Sequence, residues 1–186
     1  MFTPRGEGWT AHVMSRPGEG LVQPTVVRVK RKRKRGIGEE EEEEEVDILL
    51  AIFRHRFEPY LYTSTSTDGG ATWSTQPKKS VLPSNNSGVQ ALVLSSGALL
   101  LAFNNVAAGD APVAAAAAAA GGGVSRSHSS SSSHSSPPRD VLTLAISEDG
   151  GETWPHVRDL EPGGRDDPAL DGTPGGTLRY SYPAVV

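Results

Sequence analysis

An eight-residue frame occurs twice in this chain, as STDGGATW at 66–73 and SEDGGETW at 147–154. The copies agree at six of eight positions and stand 81 residues apart in a chain of 186. A frame that recurs with its surroundings signals an architecture built from a repeated unit. Its residues say what it does locally. Asp-Gly after an alternating run is a strong hairpin signal, because glycine takes positive φ without steric cost, which is the use of Gly70 and Gly151. The carboxylates of Asp68 and Asp149 can accept N–H groups of their own turns, and the hydroxyls of Ser66, Thr72, Ser147 and Thr153 can close the loop. Trp73 and Trp154 each supply a large apolar plate suited to packing between neighbouring sheets. No nucleophile sits beside a base, and Asp68 and Asp149 belong to equivalent turns of different units. The frame is a structural fastener.

The segments around it fall into register with each other. QPTVVRV (23–29), VDILLAIFR (46–54) and PYLYTSTS (59–66) are β-branched or alternating runs that lead into the first turn. SGVQALVL (87–94), ALLLAFNN (98–105) and DVLTLAIS (140–147) repeat the progression, and TWPHVRDL (153–160) leaves the second turn. RYSYPAVV (179–186) begins a third cycle. Period-2 runs bounded by Gly, Asp, Asn and Ser predict antiparallel strands, and no segment outside an alanine tract has a helical period.

Two low-complexity stretches interrupt this pattern. KRKRKRGIGEEEEEEE (30–45) sets six basic residues against seven glutamates; it reads as a solvated charged loop whose halves pair loosely, with a nuclear-localisation signal as the competing reading. Residues 107–138, rich in Ala, Gly and Ser, cannot bury a core and read as a flexible insertion. His128 and His134 lie there without carboxylate or thiol neighbours, too poor a set for a metal. Hydrophobic content of 36% with 21 Gly and 14 Pro agrees with a chain that is only partly packed.

Removing the 32 residues 107–138 reduces the 81-residue spacing to 49. A unit of about 40–50 residues with four strands is the size of one β-propeller blade. The expected fold is therefore all-β, a partial β-propeller. Residues 1–19 form a lead-in, 20–80 and 81–160 one blade each, and 161–186 a loop with the first strand of the next. Two blades leave sheet faces without neighbours, so the sequence reads as part of a longer propeller.

Other function classes are narrowed by composition. The net charge is −4, and outside the two charged runs 12 basic residues face 15 acidic ones, which is no footprint for nucleic acid. The absence of cysteine excludes disulfides and thiol chemistry. No apolar run reaches the ~18–20 residues of a membrane span, and the first residues show no secretory h-region.

Both octets match, at every defining position, the Asp-box of the sialidase superfamily, also called the BNR repeat, and the chain resembles that family. YSYPAVV has the outline of the family's opening strand, and LLAIFRHR and LLLAFNN resemble the strand after it. LPSNNSG (82–88) and YSYP look most like the sialidase-like glycosyl hydrolases of bacteria, plants and algae. The resemblance covers all but the low-complexity stretches and the first dozen residues. It implies a six-bladed propeller with a glycan or glycoconjugate site at the channel mouth, an exo-acting glycoside hydrolase needing no cofactor. A non-catalytic propeller for glycan binding, protein binding or assembly is the other implied possibility.

Sialidases use a Tyr nucleophile assisted by Glu, an Asp acid/base and three arginines that grip the substrate carboxylate. Here Ser181 stands where the opening motif has its arginine. FRHRFEP (53–59) lacks the expected Asp, for which Glu58 is a weak substitute. The starts of first strands line a propeller channel, which makes Gln23, Asn86, Ser87, Gln90, Ser181 and Tyr182 the candidate ligand contacts. Arg54 and Arg56, two apart on one face of a strand, could present a cationic fork. Asn85-Asn86-Ser87 is formally an N-glycosylation sequon.

Overall fold

The computed structural model describes residues 10–35, 42–106, 139, 141–162, 180 and 182–185. Among them are eight strands and no helix, hence no helix long and apolar enough to cross a membrane. β1 (Leu21–Arg35), β2 (Glu42–His55), β3 (Tyr60–Ser66) and β4 (Lys78–Pro83) form one antiparallel sheet in sequential order. β5 (Gln90–Val93), β6 (Leu99–Phe103), β7 (Val141–Ser147) and β8 (His156–Pro162) form the second in the same order. Each octet joins the third strand of its sheet to the fourth. The registers match: Leu49 faces Ser66 across β2 and β3, and Leu99 faces Ser147 across β6 and β7.

Alternation along the strands decides what meets between the sheets. Val29, Ile48, Leu50 and Ile52 lie on one side of the first sheet, all at most 5% exposed. They join Ala91, Leu99, Leu101, Phe103, Ala145 and Trp154 of the second sheet in one apolar cluster. Burying each large aliphatic or aromatic side chain here contributes about 1.5–3 kcal/mol, so this shared layer holds the two sheets together.

The structure departs from the sequence reading in three places. Lys30–Arg35 is not loop: it extends β1 in register against β2, with Lys30 opposite Asp47, Lys32 opposite Glu45 and Arg35 opposite Glu42. Like charges repel within each run, but an antiparallel ladder sets every base across from or diagonal to an acid. Lys30 bonds Glu45 and Lys32 bonds Glu43, both at 2.8 Å. These pairs are largely exposed and add little stability; the neighbouring carboxylates nevertheless raise both lysine pKa values. The fourth strand of the first sheet is KKSVLP, which no apolar alternation announces. Tyr180 and residues 182–185 belong to no strand, contrary to the expected opening strand. The 107–138 insertion, with His128 and His134, and Ser181 lie outside the described residues.

Candidate functional site

In both octets the Asp organises the turn. Asp68 accepts from Ser66 Oγ at 2.7 Å, from Thr72 N at 2.9 and 3.0 Å and from Thr72 Oγ1 at 2.6 Å. Asp149 accepts the matching set from Ser147 Oγ and Thr153, with Glu152 N added at 2.9 Å. Ser66 and Ser147 accept in turn from the N–H of Gly70 and Gly151. The bonds from Thr72 and Ser66 hold the Asp68 carboxyl well below the usual carboxylate range. Burial pushes Asp149 up, but the bonds from Thr153 and Ser147 prevail and its pKa is also lowered. A carboxylate stabilised in its charged form this way is a poor proton donor.

The surroundings of the two octets differ. Trp154 is 5% exposed within the shared core, whereas Trp73 is only half-buried and donates Nε1–H to Gly70 O at 3.1 Å. Gly150 is buried against the first sheet: a Cβ there would stand 2.8 Å from Lys30 O and from Arg31 Cγ. At the matching Gly69 a Cβ would meet nothing within 4 Å. Arg31 clamps the second octet, donating from Nε and Nη2 to Gly150 O at 3.0 and 2.8 Å and pairing with Glu152 at 2.5 Å. Glu152 also pairs with Lys78 at 2.7 Å. Arg31 is thus a tie between sheets, a role that its place inside a run of six basic residues concealed.

The candidate ligand contacts gather where the opening segments meet. Val22, beside Gln23, pairs with Arg54 across β1 and β2. Arg54 Nη1 donates to Asn86 O and, at 3.0 Å, to Asn86 Oδ1. Two residues on, Gly88 lies under the Tyr182 ring, so close that a Cβ would be 2.6 Å from it. Arg54 and Arg56 do not form a fork: Arg54 is spent on Asn86, and Arg56 is exposed. Glu58 is exposed and stands 3.9 Å from Lys79. Gln90 Nε2 makes a long 3.4 Å contact with Ala91 O.

Gln23, Asn86 and Tyr182 share one property, a left-handed backbone, with φ of 48°, 62° and 55°. They are the non-glycine residues so placed among the described residues. Such a backbone is uncommon outside glycine, and for a residue as bulky as tyrosine it is an outlier. Gln23 is exposed and Tyr182 is 57% exposed, so two of the three present their side chains outward.

Polar groups buried at this end were not foreseen. Asn104, placed after Phe103 as Arg54 is after Phe53, donates Nδ2–H to Val141 O at 2.7 Å and Tyr180 O at 2.9 Å. His55 is 8% exposed; its Nδ1 accepts from Phe57 N and Glu58 N, and its ring lies 4.9 Å from that of Tyr62. The shared signal is a polar residue closing an apolar second strand, after Phe in both sheets. Arg54 Nε, Ser87 Oγ and Asn104 Oδ1 are buried without a hydrogen-bond partner. Asn85 is 1% exposed and accepts from Ser87 N at 3.1 Å, which keeps the formal sequon out of reach in the folded chain. Among the described residues no group of three or more His, Cys, Asp or Glu is placed to hold a metal.

A search of curated proteins returns no match. The family model described as a BNR repeat-like domain matches residues 8–186. With two fastener octets at equivalent places in two four-stranded sheets, and a match over nearly its whole length, the chain belongs to the BNR repeat-like domain family.

Proposed function

We propose that the chain is part of a sialidase-like, exo-acting glycoside hydrolase built as a β-propeller, and that its described residues form the rim of a glycan site rather than the reacting groups. The observation that carries this reading is the left-handed backbone at Gln23, Asn86 and Tyr182, one in each opening segment. Each such residue costs about 1–3 kcal/mol and persists where the surrounding structure over-determines it, typically at ligand clamps. The side chains suit a sugar. Tyr182 offers a half-exposed ring face and a hydroxyl, and the Gln23 amide both donates and accepts.

The family's Tyr nucleophile, its Glu and the arginine triad would come from elsewhere in the full propeller. One observation favours the second reading, a non-catalytic propeller that binds glycans or proteins. Arg54, the arginine best placed for a substrate carboxylate, is committed to Asn86. The test pairs a glycan-binding screen with fluorogenic sialosides. Saturable glycan binding that Tyr182→Ala weakens about tenfold, the scale of one lost aromatic contact, supports the rim assignment. Sialoside turnover by the 186 residues alone would overturn the claim that the reacting groups lie elsewhere.

A further inference from the structure

His55, the last residue of β2, is only 8% exposed. The Tyr62 ring of β3 stands 4.9 Å from its ring, and the Phe57 ring meets it edge-on at 5.9 Å. Gly20 lies so close that a Cβ there would be 3.0 Å from His55 Cε1. Within this enclosure Nδ1 accepts from Phe57 N at 3.0 Å and from Glu58 N at 2.8 Å. The turn 56–59, which joins β2 to β3, thus rests two of its backbone N–H groups on one ring nitrogen. Arg56 N ties the same turn to Gly20 O at 2.9 Å. All these contacts lie within residues 20–62, so none depends on what flanks the first sheet.

A nitrogen that accepts two N–H groups carries no proton of its own, so this geometry requires the neutral ring with its hydrogen on Nε2. Protonation would set an Nδ1–H against two other donors. Turning the ring over does not restore the bonds, because both nitrogens of an imidazolium donate and neither accepts. Among the described residues no carboxylate bonds the ring to offset its charge. Glu58, in the turn itself, faces Lys79 of β4 at 3.9 Å, and Glu19 accepts from Arg16 N at 2.8 Å. Lys79 stands opposite Tyr62 in the ladder and over the Tyr60 ring, and Arg56 adds a second cation. Tyr62, whose pKa is raised by burial and by Glu58, is uncharged where histidines titrate.

We propose that His55 is a proton-operated latch: neutral, it holds the turn 56–59 closed against Gly20, and protonated at Nδ1 it releases that turn. The sign follows from the bonds. They exist with the neutral ring only, so the turn is closed at higher pH and opens as pH falls through the range where histidines charge, pH ~5–8. The octet carboxylates are held in their charged form and do not titrate there, which separates this event from acid unfolding. The latch adjoins the candidate site. Arg54, which holds Asn86, directly precedes His55, and Gly20 stands three residues before the left-handed Gln23. Release loosens that end of the first sheet in acid, whatever ligand the site takes.

Amide hydrogen exchange on the intact chain tests this, with each rate corrected for its own pH dependence. Protection of the Phe57 and Glu58 amides should fall about tenfold per pH unit once His55 is charged. The Gly70 and Gly151 amides, bonded to Ser66 and Ser147, should keep theirs down to pH ~5. His55→Asn places an amide oxygen where Nδ1 stands, an acceptor that does not titrate, and should make the protection independent of pH. His55→Phe keeps a ring without an acceptor and should leave both amides weakly protected at every pH. If either variant fails to fold, nitrogen NMR of the His55 ring decides on the wild-type chain alone. It should show the Nε2–H tautomer at pH ~8, and protonation in step with the loss of amide protection. A ring that charges while both amides stay protected would sink the proposal, as would an Nδ1–H tautomer or a ring still neutral at pH ~5.

Discussion

Adding one methyl group at Gly150, and separately at Gly69, isolates what contact between the sheets contributes. Both glycines have left-handed backbones, with φ of 69° and 72°, and occupy the same position of the octet. Alanine in that region costs about 1–2 kcal/mol, partly offset by the ~0.4–1 kcal/mol that a less flexible unfolded chain returns. These terms are common to both sites. They differ in space: the new methyl would stand 2.8 Å from Lys30 O at Gly150, and more than 4 Å from any neighbour at Gly69. The backbone carbonyl cannot swing aside, and the Arg31 side chain is held by its two bonds to Gly150 O. Overpacking of this kind adds about 1–3 kcal/mol. Gly150→Ala should therefore be less stable than Gly69→Ala by about 1–3 kcal/mol, read from urea midpoints at dilute protein with unchanged m-values. Equal losses would refute the reasoning, since they would mean that the second octet does not press on the first sheet.

Two further predictions follow from the same contacts. Asp68 and Asp149 have folded pKa values below their unfolded ones, so their stabilisation is complete above pH ~4 and is lost as pH falls through the folded values. Asp149→Asn should lower stability at pH 7 by about 1–3 kcal/mol and flatten the acid limb of a stability–pH curve measured by denaturant titration. Arg31→Lys keeps the charge but loses the fork that bonds Gly150 O; a loss of about 1–2 kcal/mol, read as a lowered urea midpoint, is expected where Lys32→Gln on the exposed side changes little.

Much of the fold was legible because the octet carries its own chemistry. Ser, Asp and Thr close the turn through bonds to one another and to their own backbone, so local sequence suffices to read them. The burial of Trp154 was legible for the same reason, since a plate at that position has to meet a neighbouring sheet. The half-burial of Trp73 was not, because it depends on what stands outside the octet. The charged hairpin was misread because repulsion within a run is local information and its cancellation is not. Only pairing across β1 and β2 shows that each base has an acid within reach. At the candidate site the sequence offered segments and gave no sign of which side chains are committed to one another. Gln23 and Asn86 lie at or just before the starts of strands that the alternation announces, whereas Tyr182 lies in no strand; that Arg54 is occupied by Asn86, and Gly88 by the Tyr182 ring, depends on contacts 32 and 94 residues apart.

The ladder that joins Lys30–Arg35 to Glu42–Asp47 also bears on how such a sequence can change over generations. Runs of one residue type lengthen and shorten readily when a gene is copied. In most settings an added lysine or glutamate would enlarge an uncompensated patch. Here the two runs face each other toward the far end of a hairpin; Lys30 and Arg31 meet the second octet, and past them Lys32 and Arg33 are exposed. A residue gained in one run is neutralised when the other gains one as well, and the register below is left untouched. The lengths of the two runs are thereby coupled: related sequences should vary in both together, keeping the bases and acids nearly matched in number.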